Sequence, residues 1–177
     1  MVKARVERDK EFEDPRVGLV GFGGGLGHGD PEMYRKPYEL TQLARRGYRS
    51  NTRDAEANGV RERGSCDVAV LDGMALFVRR EILDRPTIQS FRPLKNDLHI
   101  YGWPLHTPIG YFCYDYWLCC ETRRQGYRIR MVGVACDHLN GKSTGLGPEE
   151  LGRDKFEAAH RYLYDTCRDV LPWEVTR

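Results

Sequence analysis

One segment of this sequence constrains the fold more than any other, because it joins a helical pattern, a glycine and an extended pattern within residues 111–145. YFCYDYWLCCETRRQGYRIRMVGVAC predicts a helix over 112–126, ended by a glycine, and a strand over 127–136. Asp115 stands at the start of the helix and His138 just after the strand. One sheet edge would bring both into a cleft, where a carboxylate can accept a proton and an imidazole can bind a metal.

The remaining elements predict a mixed α/β fold. GGGLGHGDP, at 23–31, has glycines at the wrong spacing for a dinucleotide site and is interpreted as a mobile loop. Residues 84–110 hold four prolines and predict a long loop. The other expected elements are a helix within 1–14 that ends before Pro15, a strand over 17–22, a short helix near 38–46, two strands and a helical turn within 67–83, and a closing helix over 148–170.

Length and charge narrow the class of protein. The 177 residues predict a single domain, 1–177. The 28 basic and 26 acidic side chains are mixed along the chain, which gives no support for binding to nucleic acid. No apolar run is long enough to span a membrane, and the charged start does not fit a signal peptide. We expect a cytoplasmic protein without a transmembrane segment.

The six cysteines are expected to be reduced thiols. Structural zinc sites favour paired ligands two to four residues apart, and no C-x-x-C occurs. Cys136 and His138 are two residues apart, but no second pair follows at the spacing of a zinc finger. A structural zinc module is therefore the less favoured alternative.

Several segments, in order, resemble the family 2 glycosyltransferases of the GT-A fold. They are VGLVGF (17–22), RRGYRSNTRDAEANGVRE (45–62), VAVLDGMALFVRREIL (68–83), YDYWLCCETRRQGYRIRMVGVACDHLNGKS (114–143) and, like the family's closing helix, FEAAHRYLYDTCRDVLP (156–172). The resemblance implies a partial GT-A-like domain, with a mixed sheet flanked by helices. The family's upstream nucleotide-binding half and its D-x-D motif have no counterpart in the first 16 residues. We therefore expect an N-terminally incomplete domain whose donor-binding half comes from a partner chain or a longer parent.

The resemblance also implies roles for individual residues. Asp115 aligns with the catalytic base, and His138 with a ligand of a divalent metal, Mn²⁺ or Mg²⁺. Asp72 and Gly73 align with the wall of the substrate site. Aromatic side chains that offer flat faces to sugars are expected at Trp103, Tyr114 and Trp117.

Each assignment has a structural alternative. Asp115 can be a helix N-cap, and Asp72–Gly73 an ordinary turn. His138 can be a hydrogen-bonded surface residue, and the aromatic residues can belong to the core.

The expected function is transfer of a sugar, with inversion, from a nucleotide-sugar donor to a hydroxyl of a glycan, a lipid-linked or a protein acceptor. The first alternative is a non-catalytic carbohydrate-binding or assembly module that uses the aromatic segment 101–117. The second alternative is the structural zinc module.

Overall fold

The computed structural model describes residues 2–50, 60–62, 64–83, 112–136 and 152–176. Within these ranges the chain forms a few helices and several short strands. The helices are α1 (Val2–Glu11), a 3-10 turn (Leu40–Leu43), α2 (Arg80–Leu83), α3 (Tyr114–Arg124) and α4 (Arg153–Thr166). The strands are β1 (Val17–Gly21), β2 (Gly23–His28), β3 (Arg45–Ser50), β4 (Val60–Arg61), β5 (Cys66–Asp67), β6 (Val70–Leu71), β7 (Phe77–Val78), β8 (Arg128–Met131) and β9 (Trp173–Glu174).

The strands form two small sheets, which confirms a mixed α/β fold. The first sheet has the order β5-β8-β1-β7, with β1 parallel to β8 and the two outer strands antiparallel to their neighbours. The second has the order β4-β3-β2-β6, and β9 also pairs with β2. Only Phe22 separates β1 from β2. One chain segment therefore passes from the first sheet into the second.

The interpretation of 23–31 as a mobile loop is wrong, because its first six residues form β2 at the centre of the second sheet. The glycines serve close packing here. A Cβ on Gly24 would lie 2.1 Å from the carbonyl oxygen of Val70 in β6. The short helix predicted near 38–46 is also only partly right, since it is one 3-10 turn and β3 begins at Arg45.

The predicted helix–glycine–strand unit is confirmed, with bounds two residues shorter at each end of the helix. Gly126 follows α3 with a φ of 80°, a left-handed conformation that glycine adopts without strain. The predicted strand over 127–136 is regular only over Arg128–Met131. The closing helix is present as α4, and α1 ends at Glu11, before Pro15.

The core lies where α3 packs on the sheets. All five residues of β1 are buried, as its apolar sequence predicts. Buried side chains of α3 join those of β1, β6 and β8 in one cluster: Leu19, Val70, Leu71, Leu118, Cys119, Ile129 and Met131. A second cluster joins α3 to α4 and includes Trp117, Cys120, Ala159 and Leu163. Helix α3 is thus fixed on two sides, which holds its N-terminus in place.

The predicted loop 84–110 lies outside the described residues. Among the helices that the structure describes, none combines the length and apolar character needed to cross a membrane.

Candidate functional site

The turn that follows β6 meets the first turn of α3. The Gly73 N–H donates to Oδ2 of Asp115 at 3.0 Å, and the Tyr114 hydroxyl donates to the Gly73 carbonyl at 2.9 Å. The turn is anchored to β2, because the Asp72 N–H donates to the Gly23 carbonyl at 2.8 Å. Two pairs of predicted site residues therefore lie together, although about 40 positions separate them in the sequence: Asp72 and Gly73 with Tyr114 and Asp115.

Glycine is required at position 73 by this contact. A Cβ there would lie 2.0 Å from the Tyr114 hydroxyl oxygen and 3.3 Å from Oδ2 of Asp115. Any side chain there would displace the Tyr114 hydroxyl from the turn.

Asp115 is the second residue of α3 and not its N-cap. The N-cap is Cys113, which has a φ of 61° and makes no capping bond with its side chain. The Oδ1 atom of Asp115 accepts the Tyr116 N–H at 2.9 Å, while Oδ2 faces the turn. The carboxylate therefore satisfies a donor of the first helical turn and also reaches a second element.

Asp72 is held by two side chains of β3. Its Oδ2 atom lies 2.5 Å from Nη1 of Arg45 and accepts the Tyr48 hydroxyl at 3.2 Å. The Arg45 guanidinium also lies over the Tyr48 ring, 4.9 Å from its centroid. We call the following set the Asp115 cluster: Arg45, Tyr48, Asp72, Gly73, Tyr114 and Asp115.

The cluster alters the acidity of Asp115. Burial, which is the largest cause, and the charge of Asp72 together raise the pKa of Asp115 to about 6, against the opposing effects of two backbone N–H donors and Arg45. The residue as a whole is partly exposed. A carboxylate with a pKa near neutrality is suited to accept a proton from a bound hydroxyl.

Arg45 and Tyr48 were not predicted as site residues. Three residues apart on a regular strand, they would point to opposite faces. Gly47 between them has a φ of 60°, which interrupts the alternation, and both side chains reach Asp72. The sequence signal was the glycine within RRGYRS, but glycine alone does not reveal its conformation.

The other predicted site residues lie elsewhere. Trp117 is only 7% exposed and belongs to the cluster between α3 and α4, which leaves little of its ring for a ligand. Trp103 and His138 lie outside the described residues.

The described residues do not fit the implied divalent metal. In this part of the chain no three His, Cys, Asp or Glu side chains stand close enough together to hold an ion. Asp72 is already engaged by Arg45. None of the six cysteines forms a disulfide, and a zinc site gains no support from their arrangement among the described residues.

A thiol–imidazole contact beside the cluster offers no second nucleophile. Cys113 Sγ lies 3.2 Å from Nδ1 of His160, and the same nitrogen lies 2.8 Å from the Phe156 carbonyl oxygen. Nδ1 therefore carries the proton and cannot take one from the thiol. Burial also raises the pKa of Cys113, with the charge of Asp115 adding to the rise, so the thiol stays protonated.

Comparison with known proteins does not identify this arrangement. A scan against protein-family models and searches of curated proteins and of solved structures found no significant match to the chain.

Proposed function

We propose that this chain carries the acceptor-activating part of a glycosyltransferase site, with Asp115 as the general base. The observation that carries the proposal is the hydrogen bond between the Gly73 N–H and Oδ2 of Asp115. It joins two segments that the sequence resemblance assigns to one site. The raised pKa of Asp115, about 6, suits the proposed role.

The proposed reaction is a single displacement with inversion. Asp115 takes the proton of the acceptor hydroxyl as that oxygen attacks the anomeric carbon of the donor sugar. The bond between that carbon and the nucleotide diphosphate breaks, and the diphosphate leaves with the bonding electron pair. The proton remains on Asp115 until it passes to solvent.

Asp72 and its partners act as positioning residues in this proposal. Arg45 and Tyr48 fix the Asp72 carboxylate, whose charge contributes to the raised pKa of Asp115. Removing the Asp72 charge would take away one cause of that rise, so it would lower the pKa of Asp115 and make it a weaker base.

The donor-binding half and the metal belong to the proposal only as expectations. A partner chain or a longer parent would supply the nucleotide site, in a partial GT-A-like domain. No step above passes through a metal, because the described residues include no ligand group for one.

The test is a nucleotide-sugar turnover assay in the presence of Mn²⁺ and of the chain or parent segment that supplies the donor-binding half, with Asp115→Asn compared with the wild type. The control is Asp154→Asn, since Asp154 is also the second residue of a helix, α4, and is exposed. We expect loss of turnover by about a hundredfold or more in Asp115→Asn and none in Asp154→Asn.

Two outcomes would contradict the proposal. One is equal turnover in wild type and Asp115→Asn. The other is binding of glycans without turnover, unaffected by Asp115→Asn, which would favour the carbohydrate-binding module instead.

A further inference from the structure

A concave site lies at the other end of α3 from the Asp115 cluster. A cleft of about 490 Å³ opens between the end of α3, the start of β8 and the segment that follows α4. Its walls include Arg123, Tyr127, Arg128, Trp173 and Glu174, and no member of the Asp115 cluster. The volume lies within the range of small-molecule sites.

Trp173 gives the cleft a flat apolar wall. Its side chain is 49% exposed, although large aromatic side chains are mostly buried in folded proteins. The backbone that carries it is fixed, because Trp173 pairs with His28 and the next strand residue, Glu174, pairs with Gly27. The sheet therefore fixes the indole in a solvent-exposed position.

The carboxylates of the cleft are already neutralised. Each pairs with an arginine: Asp67 with Arg128 at 2.6 Å, Asp169 with Arg124 at 2.6 Å, and Glu174 with Arg46 at 3.4 Å.

Arg123 is different, because no carboxylate of the described residues pairs with it. Its Nη2 atom donates to the Ala69 carbonyl, and its guanidinium lies over the Trp173 ring, 4.8 Å from the centroid. Burial lowers the pKa of Arg123 to about 10, as expected for a cation removed from water without a counter-charge. The cleft thus combines an exposed indole with an uncompensated guanidinium.

We infer that this cleft binds a small ring compound that carries one carboxylate. The ring would stack on Trp173, and the carboxylate would accept hydrogen bonds from Arg123. A guanidinium matches the two oxygens of a carboxylate, and an aromatic face accepts the flat side of a ring. A phosphate dianion suits the cleft less well, since of the two arginines on its walls Arg128 is already paired with carboxylates and only Arg123 is left to balance a charge.

The inference is tested by calorimetric titration of the full chain with two ring carboxylates, benzoate and glucuronate. Their uncharged counterparts, benzamide and glucose, and inorganic phosphate are titrated at the same ionic strength. We expect at least one carboxylate to bind about tenfold or more tightly than its uncharged counterpart and than phosphate. Binding of benzoate would indicate that the cleft accepts an aryl ring, and binding of glucuronate that it accepts a sugar ring.

The variants Arg123→Met and Trp173→Ala should each weaken that binding by about tenfold or more. Arg123→Lys keeps the positive charge but loses the paired N–H donors of the guanidinium, so this variant should bind the carboxylate with intermediate affinity. It replaces Arg123→Met in the test if Arg123→Met does not fold. Arg153→Met, at an exposed arginine on α4, is the matched control and should bind like the wild type.

The inference is overturned if neither carboxylate binds at millimolar concentration, or if the uncharged ring or phosphate binds as tightly. Unchanged binding in a folded Arg123 variant overturns it too. None of these results depends on sugar transfer, so failure here leaves the Asp115 proposal standing, and the reverse also holds.

Discussion

Replacing His28 with leucine should make the protein more resistant to acid. His28 ends β2, is 0% exposed and meets the Tyr116 ring edge-on, with the centroids 5.1 Å apart. Neither ring nitrogen has a hydrogen-bond partner in the described part of the chain. Burial, which is the largest cause, and the nearby charges of Arg123 and Arg45 together lower the pKa of His28 to about 3. The imidazole is therefore neutral in the folded protein at any mild pH.

The size of the effect follows from the two protonation equilibria. The unfolded chain binds a proton at His28 with an ordinary pKa of 6.5, and the folded chain only near pH 3. Stability is thus complete above pH 6.5 and is lost as the pH falls towards 3. At 1.36 kcal/mol per pKa unit, the loss reaches about 2 kcal/mol at pH 5 and about 4 kcal/mol at pH 3, where the folded state is itself half protonated.

The assay is urea unfolding of wild type and His28→Leu at pH 7 and pH 5. Leucine is close to histidine in size and leaves no unpaired polar atom, so the variant should be at least as stable at pH 7. The wild type and the variant have all other titrating groups in common. The change with pH in the stability difference between them therefore reports on His28 alone. That difference should shift by about 2 kcal/mol in favour of the variant at pH 5. An unchanged difference would refute the reasoning.

Three further predictions follow from individual contacts. The raised pKa of Asp115 means that the folded state binds its proton more tightly than the unfolded chain does, so stability falls as the pH rises from about 4 to about 6. The shift from 3.8 to about 6 is worth about 3 kcal/mol at pH 7, and asparagine loses about 1 kcal/mol because it can accept only one of the two backbone N–H bonds; Asp115→Asn should therefore raise stability at pH 7 by about 2 kcal/mol in urea unfolding, whereas a purely capping role predicts a loss of about 1 kcal/mol. Gly24→Ala should lower stability by about 2 kcal/mol or more, because its Cβ would meet the Val70 carbonyl oxygen, while Gly64→Ala, with no atom within 4 Å, should change thermal unfolding little. Gly73→Ala should reduce turnover about as much as Asp115→Asn, because the new Cβ displaces Tyr114 from the turn; full activity in a folded Gly73→Ala protein would show that this contact is dispensable.

The local elements were largely predictable because their signals are local. The apolar run VGLVGF, the proline at 15 and the glycine after ETRRQ each act on a few neighbouring residues. The helix–glycine–strand unit and the closing helix could therefore be predicted with modest errors at their ends.

The prediction of a loop at residues 23–28 was wrong because the structure of this segment is set by contacts distant in the sequence. Glycine has no intrinsic preference for a strand, so GGGLGH reads as a loop. This segment pairs in the sheet with residues 45–50, 70–71 and 173–174. Those neighbouring strands lie so close that its glycine positions leave little room for a side chain. Only the tertiary packing makes the segment a strand.

The sequence by itself determined the mixed α/β class, the helix that begins with Tyr114 and Asp115, and the candidacy of Asp72, Gly73 and Asp115. The tertiary structure decided that these residues touch, that Arg45 and Tyr48 hold Asp72, and that Trp117 lies in the core. It also decided that Arg123 lies beside Trp173 without a carboxylate partner among the described residues. The physical reason is that a helix or strand is set by neighbours in the chain, whereas the acidity and accessibility of a side chain are set by neighbours in space.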